Sequence, residues 1–164
     1  MSKEDQVRFP RMTKTSLKEF NQLEAQGWVI NISIQIEDLI DDILMANFKP
    51  GNGGVFLNVL LNSSVMHFGG KLKVLRALGI DNVTYSNLQR IGSIRNAFAH
   101  TNISYSMTIT VDPESDTKAE VKDILSVMNS NGEIKSKDPY SYMLEFLELY
   151  KQVEPVLKKM RNSD

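Results

Sequence analysis

The stretch that decides the fold is WVINISIQIEDLIDDILMANF, residues 28–48, and two periodicities overlap in it. From Trp28 to Ile36 every second residue is apolar, which is typical of a strand, whereas the apolar residues from Ile32 to Ile43 also follow helical spacing. A strand of about twenty residues would be far longer than is usual, and the acidic residues of EDLIDD suit the solvent face of a helix. We therefore predict one long and very apolar helix.

Helical patterns lie on both sides of this stretch. Before it, residues 15–23 predict a first helix, which Gly27 allows to break. After it, residues 55–68 predict one or two short helical pieces. KLKVLRALGI, residues 71–80, predicts a helix that ends at Gly79, because glycine readily adopts the left-handed conformation of a helix C-terminus.

The next helix is expected to start at Asn82 or Thr84 and to reach His100, because its apolar residues recur every three or four positions. Those positions are Leu88, Ile91, Ile94 and Phe98. This periodicity predicts a helix that packs on one side only.

Beyond this helix the pattern changes to β structure and then returns to a helix. SYSMTITVD, residues 104–112, alternates, and residues 123–137 predict a strand with a turn at Asn131-Gly132. A last helix is expected from about Pro139, with a kink or a division at Pro155. We therefore predict an all-α fold, an antiparallel bundle of four to five helices with a small β-hairpin insertion before the last helix.

Length and composition suggest one globular domain. Residues 1–164 suit a single core, with about residues 112–137 as the hairpin and loop insertion. Hydrophobic residues make up 41% and charged residues 24%, which is typical of globular proteins. The net charge of −1 is far from the basic balance of proteins that coat nucleic acid, so any such contact must come from a local patch.

Three absences narrow the expected location and chemistry. No apolar run approaches the roughly 20 residues that span a bilayer, and the first ten residues lack the apolar core of a signal peptide. The sequence contains no cysteine, which excludes thiolate metal sites and fits a reducing cytoplasm. We expect a soluble, cytoplasmic protein without membrane partners.

Residues that can carry chemistry gather in RNAFAH, residues 95–100. Residues five apart lie about 140° around a helix axis, so Arg95 and His100 do not stack directly. At a helix end, however, both side chains can point into one cleft. The alternative is that Arg95 forms a salt bridge and that His100 complements the negative end of the helix dipole.

The spacing of Arg95, Asn96 and His100 resembles the motif of the HEPN superfamily. In that family an arginine and a following polar residue precede a histidine near the end of an amphipathic helix. The preceding HFGGKLKVLRALGI is similar to the branch that contains the mannitol operon regulator-like proteins. The positions that match are Phe68, Gly69, Lys71, Leu78, Gly79, Arg95, Asn96, Phe98, Ala99 and His100. The resemblance covers about residues 28–103, and the later hairpin and helix agree only in general layout.

This resemblance implies metal-independent RNA cleavage, which many members of the superfamily perform and others have lost. The residue types suit it, because histidine transfers protons near neutral pH and arginine presents a permanently charged fork to a phosphate. Arg95, Asn96 and His100 are therefore the predicted catalytic residues, with no cofactor. The resemblance also implies a C₂ homodimer that pairs the motif helices, and the count supports it, because acid and base roles need two groups and each chain has one motif histidine.

Three further residues are predicted to bind substrate. Between residues 71 and 95 five basic residues face a single acid, and of these Lys71 and Arg90 are candidates for contacts with an RNA backbone. Glu37 resembles the acidic residue often seen in the preceding helix of this family, and it could pair with Arg95 and orient it.

Metal binding is not expected. His67, the second histidine, is interpreted as a structural or helix-start residue, and two histidines without cysteine make a His-based metal site improbable. A carboxylate site is conceivable, but Asp38, Asp41 and Asp42 fit the solvent face of an amphipathic helix better. GNGG lacks the Lys-Ser/Thr of a nucleotide-binding P-loop.

Two classes of function remain open. The first is a homodimeric HEPN-like endoribonuclease, a toxin or defence component held in check by an antitoxin or regulatory protein. The second is a mannitol-regulator-like transcriptional regulator or a protein-interaction module, without catalysis. No helix-turn-helix with a basic recognition helix is evident, which argues against direct DNA binding. Cleavage of RNA in excess EDTA distinguishes the two classes.

Overall fold

The apolar stretch that opens the fold is helical throughout. The computed structural model describes residues 22–100, 104–110, 118–128 and 132–162, and in it α1 comprises Gln22–Phe48. The helical stripe is buried, since Ile32 and Ile36 are at most 3% exposed, whereas Ile34, which only the strand period would group with them, is 54% exposed. The predicted long helix is confirmed.

The predicted break at Gly27 is wrong, because α1 continues through it. Ala25 and Val29 on either side are both buried, and a helical glycine costs only about 1 kcal/mol relative to alanine. Burial on both flanks outweighs that cost. Residues 15–21 of the predicted first helix lie outside the described residues.

Short helical elements follow α1, as predicted. α2 comprises Gly53–Val55 and leads into a π-helical turn, Phe56–Leu60. α3 then comprises Phe68–Ala77. The segment before α3 leaves several apolar side chains exposed.

Gly79 ends α3 in the predicted manner. Its φ angle is +97°, and the Ile80 N–H donates to the Leu75 carbonyl at 3.3 Å while the Gly79 N–H donates to the Arg76 carbonyl at 3.1 Å. This pair of hydrogen bonds is a Schellman motif, which satisfies carbonyls that the helix end would otherwise leave free.

α4 comprises Asn82–His100 and carries RNAFAH at its C-terminal end. Asp81 caps it: the Thr84 N–H donates to Asp81 Oδ1 at 2.9 Å, and the Thr84 hydroxyl donates to Oδ2 at 2.6 Å. These hydrogen bonds lower the pKa of the Asp81 carboxyl. The predicted apolar positions of α4 are all buried.

A three-stranded antiparallel sheet lies between α4 and α5 in the chain. Its strands are β1 (Ser104–Thr110), β2 (Lys118–Met128) and β3 (Ile134–Lys137), in that order. Ser104 pairs with Ile124, and Leu125 pairs with Lys137. The predicted all-α fold with a β insertion before the last helix is confirmed, and the insertion also includes β1, which pairs with β2 ahead of residue 112.

α5 comprises Pro139–Arg161. The Ser141 N–H donates to an Asp138 carboxylate oxygen at 2.8 Å, and Pro139 occupies a first-turn position where a missing N–H costs nothing. Pro155 lies inside α5, which it does not divide.

The core lies where α1, α3, α4 and α5 meet, with α4 in contact with each of the other three. Its largest fully buried hydrophobic side chains are Phe146, Ile36, Ile40, Ile43, Leu44, Leu61, Leu72, Leu75, Leu88, Ile91 and Ile94. Leu125 of β2 belongs to this cluster, so the sheet packs against the bundle through its side chain. Within the described ranges no helix combines the length and the apolarity that crossing a membrane requires.

Candidate functional site

An open groove between α3 and α4 contains two of the three motif residues. Its volume is about 440 Å³. One wall is the start of α3, with His67, Phe68 and Gly69, and the other is the exposed side of α4. The α4 wall contains Gln89, Ser93, Arg95 and Asn96. Residues far apart in sequence thus share one concave surface beside the motif.

The close approach of α3 to α4 depends on Gly92. A Cβ atom at this position would lie 3.1 Å from both Cδ1 and Cε1 of Phe68, which is closer than ordinary van der Waals contact between carbon atoms. Glycine therefore lets the half-buried Phe68 ring lie against α4, where it also packs on the core. The first residues of α3 are held beside the motif as a result.

Arg95 has a guanidinium that is available for a ligand. Its side chain is half-buried, and it forms no hydrogen bond or ion pair with any residue in the described ranges. The predicted pairing with Glu37 is therefore wrong, and so is the alternative that Arg95 serves a salt bridge among these residues. Asn96 follows it on the exposed side of α4 and lines the same groove.

His100 is exposed and is the last residue of α4. It lies four residues after Asn96, so the two side chains are neighbours on one helix face. The end of α4 is held in place by α1, because Gln26 Nε2 donates to the Phe98 carbonyl at 2.7 Å. His100 thus continues the exposed face of α4 beyond the residues that line the groove.

Lys71 and Glu37 lie elsewhere, in a buried ionic cluster between α1 and α3. Lys71 is 1% exposed, and its Nζ lies 2.8 Å from Glu37 Oε1 and 2.8 Å from each carboxylate oxygen of Asp41. Lys71 therefore cannot reach an RNA backbone, and its prediction as a substrate-binding residue is wrong. The sequence indicated neither its burial nor its two partners.

Asp41 shows which force dominates in this cluster. Burial raises the pKa of the Asp41 carboxyl, and the hydrogen bond and charge of Lys71 only partly offset that rise. The sequence predicted that Asp41 lies on the solvent face of α1, and this prediction is wrong. Asp38 and Asp42 are exposed, as predicted.

Arg90 is committed to a protein contact. Its Nε lies 2.6 Å from Glu145 Oε1 and its Nη2 2.7 Å from Oε2, and the guanidinium lies 5.0 Å from the Tyr142 ring centre. Hydrogen bonding to Glu145 raises the pKa of Arg90, and Arg90 lowers the pKa of Glu145. This bidentate pair joins α4 to α5. Glu145 thus binds the Arg90 guanidinium, which was predicted to bind phosphate.

His67 lines the groove, although the sequence did not predict it as a site residue. It caps α3, as the helix-start interpretation requires, but its side chain makes no capping hydrogen bond. The exposed imidazole instead lies along the groove that contains Arg95 and Asn96. Its position next to Phe68 in an apolar stretch gave no sign of this, because only the α3–α4 packing brings it to the motif.

The described residues give no sign of a metal centre. In these ranges no three His, Asp or Glu side chains are grouped so that they could hold a metal ion. The groove-lining side chains are amide, hydroxyl, imidazole and guanidinium groups with apolar neighbours.

Comparison with protein-family models, with curated proteins and with solved structures finds no match for this chain.

Proposed function

We propose that this chain is a HEPN-like, metal-independent endoribonuclease that acts in the cytoplasm as a homodimer. The observation that carries the proposal is Arg95, a half-buried arginine without a partner in the described ranges, on the wall of an open groove beside Asn96. Burying part of an arginine without pairing it forgoes charge-assisted hydrogen bonds that a phosphate would restore. A toxin or defence role, with an antitoxin-like protein as partner, follows from the same resemblance.

The residues suit cleavage by transfer within the RNA. The ribose 2′-hydroxyl loses its proton to a base, its oxygen attacks the adjacent phosphorus, and the bond from phosphorus to the 5′-oxygen breaks. The leaving 5′-oxygen takes a proton from an acid, which leaves a 2′,3′-cyclic phosphate and a 5′-hydroxyl. His100 suits one of these proton transfers, Arg95 the charge on the phosphate, and Asn96 a non-bridging oxygen.

The homodimer follows from the need for two proton-transfer groups. A symmetric pair of α4 helices would bring two copies of His100 to one cleft. His100 lies at the very end of α4 and is exposed, so it is accessible to a second chain. Gel filtration with light scattering measures the oligomeric state directly.

The test is RNA cleavage by purified protein in excess EDTA. We expect the wild type to cleave, and Arg95→Ala and His100→Ala each to lose activity by about 10²-fold or more. Arg161→Ala is the matched control, since Arg161 lies on α5 and approaches Asp42 at 3.6 Å. Cleavage that requires a metal, or that survives both substitutions in folded protein, would refute the proposal.

An exposed apolar surface favours the second candidate function, a protein-interaction module without catalysis. Its residues, each at least 41% exposed, are Phe48, Val55, Leu57, Val59, Leu60 and Val65. Five of the six lie within residues 55–65, and clustered exposed apolar residues mark a protein-binding surface more often than isolated ones do. If Val59→Glu abolishes self-association while EDTA-tolerant cleavage is absent from the wild type, this second function is preferred.

A further inference from the structure

The groove contains an imidazole that does not belong to the motif. His67 comes from the start of α3 and Asn96 from α4, and both line the same groove. His100 follows Asn96 by one helical turn. One chain therefore places His67 in the groove and His100 one helical turn beyond the groove residue Asn96.

The His67 ring lies close to the two glycines that follow Phe68. A Cβ atom at Gly69 would lie 3.5 Å from both Cδ2 and Nε2 of His67, and one at Gly70 would lie 3.9 Å from Cε1 and Nδ1. These are ordinary van der Waals distances, so the ring lies against the first turn of α3. No hydrogen bond engages either ring nitrogen among the described residues.

The groove around His67 contains few ionisable side chains. Besides His67, the one ionisable side chain among the described residues of the groove is Arg95, and the remaining polar groups there are the neutral Gln89, Ser93 and Asn96. No carboxylate of the described residues lines this groove. Histidine side chains as a class titrate in the range where a single imidazole can serve as an acid or a base.

We propose that His67 is the second proton-transfer residue of the site, so that one chain supplies both groups that RNA cleavage needs. This inference rests on the proposed endoribonuclease function. One of His67 and His100 takes the proton from the 2′-hydroxyl as its oxygen bonds to phosphorus, and the other gives a proton to the 5′-oxygen as its bond to phosphorus breaks. The proposed homodimer then follows from the family resemblance and no longer from the number of motif histidines.

The first experiment compares wild type with His67→Asn in RNA cleavage from pH 5 to pH 9. Asparagine is a favourable N-cap, so we expect the variant to fold, and circular dichroism during heating checks this. The wild type should show a bell-shaped profile, and His67→Asn should lose about 10²-fold in rate and one limb of the bell. A merely structural role would leave the shape of the profile unchanged.

The second experiment tests whether both groups belong to one chain. His67→Asn and His100→Ala chains are co-expressed with different tags, and the mixed species is purified through both. We expect no recovery of activity, because each chain lacks one of its own groups. Recovery to a large fraction of the wild-type rate would show that the two histidines come from different chains and would overturn the inference.

The outcomes separate this inference from the function on which it rests. If the wild type cleaves RNA with dependence on Arg95 and His100 but His67→Asn retains the wild-type rate and profile, the inference is wrong and the proposed function stands. If the wild type does not cleave RNA in EDTA, the proposed function fails and this inference fails with it.

Discussion

Basic residues on the two sides of α3 have opposite environments. Towards α1, Lys71 is buried and lies within 2.8 Å of both Glu37 and Asp41. Towards α4, Arg95 lies on an open groove with no ionic partner in the described ranges. Both belong to the same basic segment of the sequence, so charge and spacing alone do not tell a structural cation from one that is available to a ligand.

The difference has a physical cause in water access. A buried ammonium must recover its lost hydration through close carboxylates, and a folded chain that fails to provide them is strongly destabilised. A groove exposed to solvent leaves an arginine hydrated until a ligand arrives. The buried Lys71 cluster therefore contributes to the stability of the fold. The groove arginine, Arg95, can form its hydrogen bonds with a ligand instead.

The largest expected effect is loss of stability in Lys71→Met. The substitution leaves the carboxylates of Glu37 and Asp41 facing each other without their cation, which should lower the free energy of unfolding by about 3 kcal/mol. Chemical denaturation measures this loss. Lys73→Met is the matched control, because Lys73 is exposed on the same helix and should change stability by no more than about 0.5 kcal/mol. Equal losses of stability in the two variants would contradict the proposed difference between the two sides of α3.

The next effect is loss of RNA binding in Arg95→Met. With an RNA made uncleavable by 2′-O-methylation, we expect affinity to fall about 30-fold, which corresponds to about 2 kcal/mol for hydrogen bonds to a charged phosphate. Fluorescence anisotropy at several salt concentrations gives the affinity and its salt slope, which should decrease by about one. Unfolding stability should stay within about 0.5 kcal/mol of the wild type.

Arg161→Met provides the control for this measurement, since it removes an arginine from α5 that does not line the groove. Its RNA affinity should match that of the wild type. If both arginine variants lose affinity equally, binding is a general charge effect and the groove has no special part in it.

A smaller effect should distinguish two glycines that both lie inside helices. Gly27→Ala places a Cβ with nothing within 4 Å, so better helix propensity should stabilise the protein by about 0.5–1 kcal/mol. Gly92→Ala places a Cβ 3.1 Å from two atoms of the Phe68 ring, which is held by the core. We expect it to be less stable than Gly27→Ala by about 1 kcal/mol or more, as measured by thermal unfolding.

The smallest effect concerns the pH dependence of stability. Burial raises the pKa of Asp41 in the folded protein, so its contribution is most favourable below its ordinary pKa and declines as pH rises through the folded value. The opposite sign holds for Glu145, whose pKa is lowered mainly by its hydrogen bond to Arg90: its contribution is present above its ordinary pKa and is lost as pH falls.

Denaturation between pH 3 and pH 7 compares these two carboxylates. The stability of wild type relative to Asp41→Asn should decrease with rising pH, whereas that of wild type relative to Glu145→Gln should increase. Parallel slopes for the two pairs would mean that burial does not dominate at Asp41.

Much of the fold could be predicted because the relevant information is local. The spacing of Leu88, Ile91, Ile94 and Phe98 indicated α4, and Gly79 indicated the end of α3, since a left-handed C-terminus favours glycine whatever the tertiary context. The error at Gly27 has the opposite origin, because burial of residues on both sides decided the matter there. Local preferences are weak when packing opposes them.

The candidate site was less predictable because it is assembled from two helices. Sequence placed Arg95, Asn96 and His100 together, as neighbours in one helix must be. It assigned Lys71 to the substrate although α1 surrounds it with acids, and it set aside His67 although α3 carries it to the groove.

The sequence by itself determined the helices, the β insertion and the position of the motif at the end of α4, because periodicity, caps and turn residues act over a few positions. Only the tertiary structure decided which cations are buried and which line the groove. Burial and ion pairing depend on how α3 packs between α1 and α4, and that packing joins residues such as Glu37 and Lys71, or His67 and Asn96, that lie about 30 positions apart.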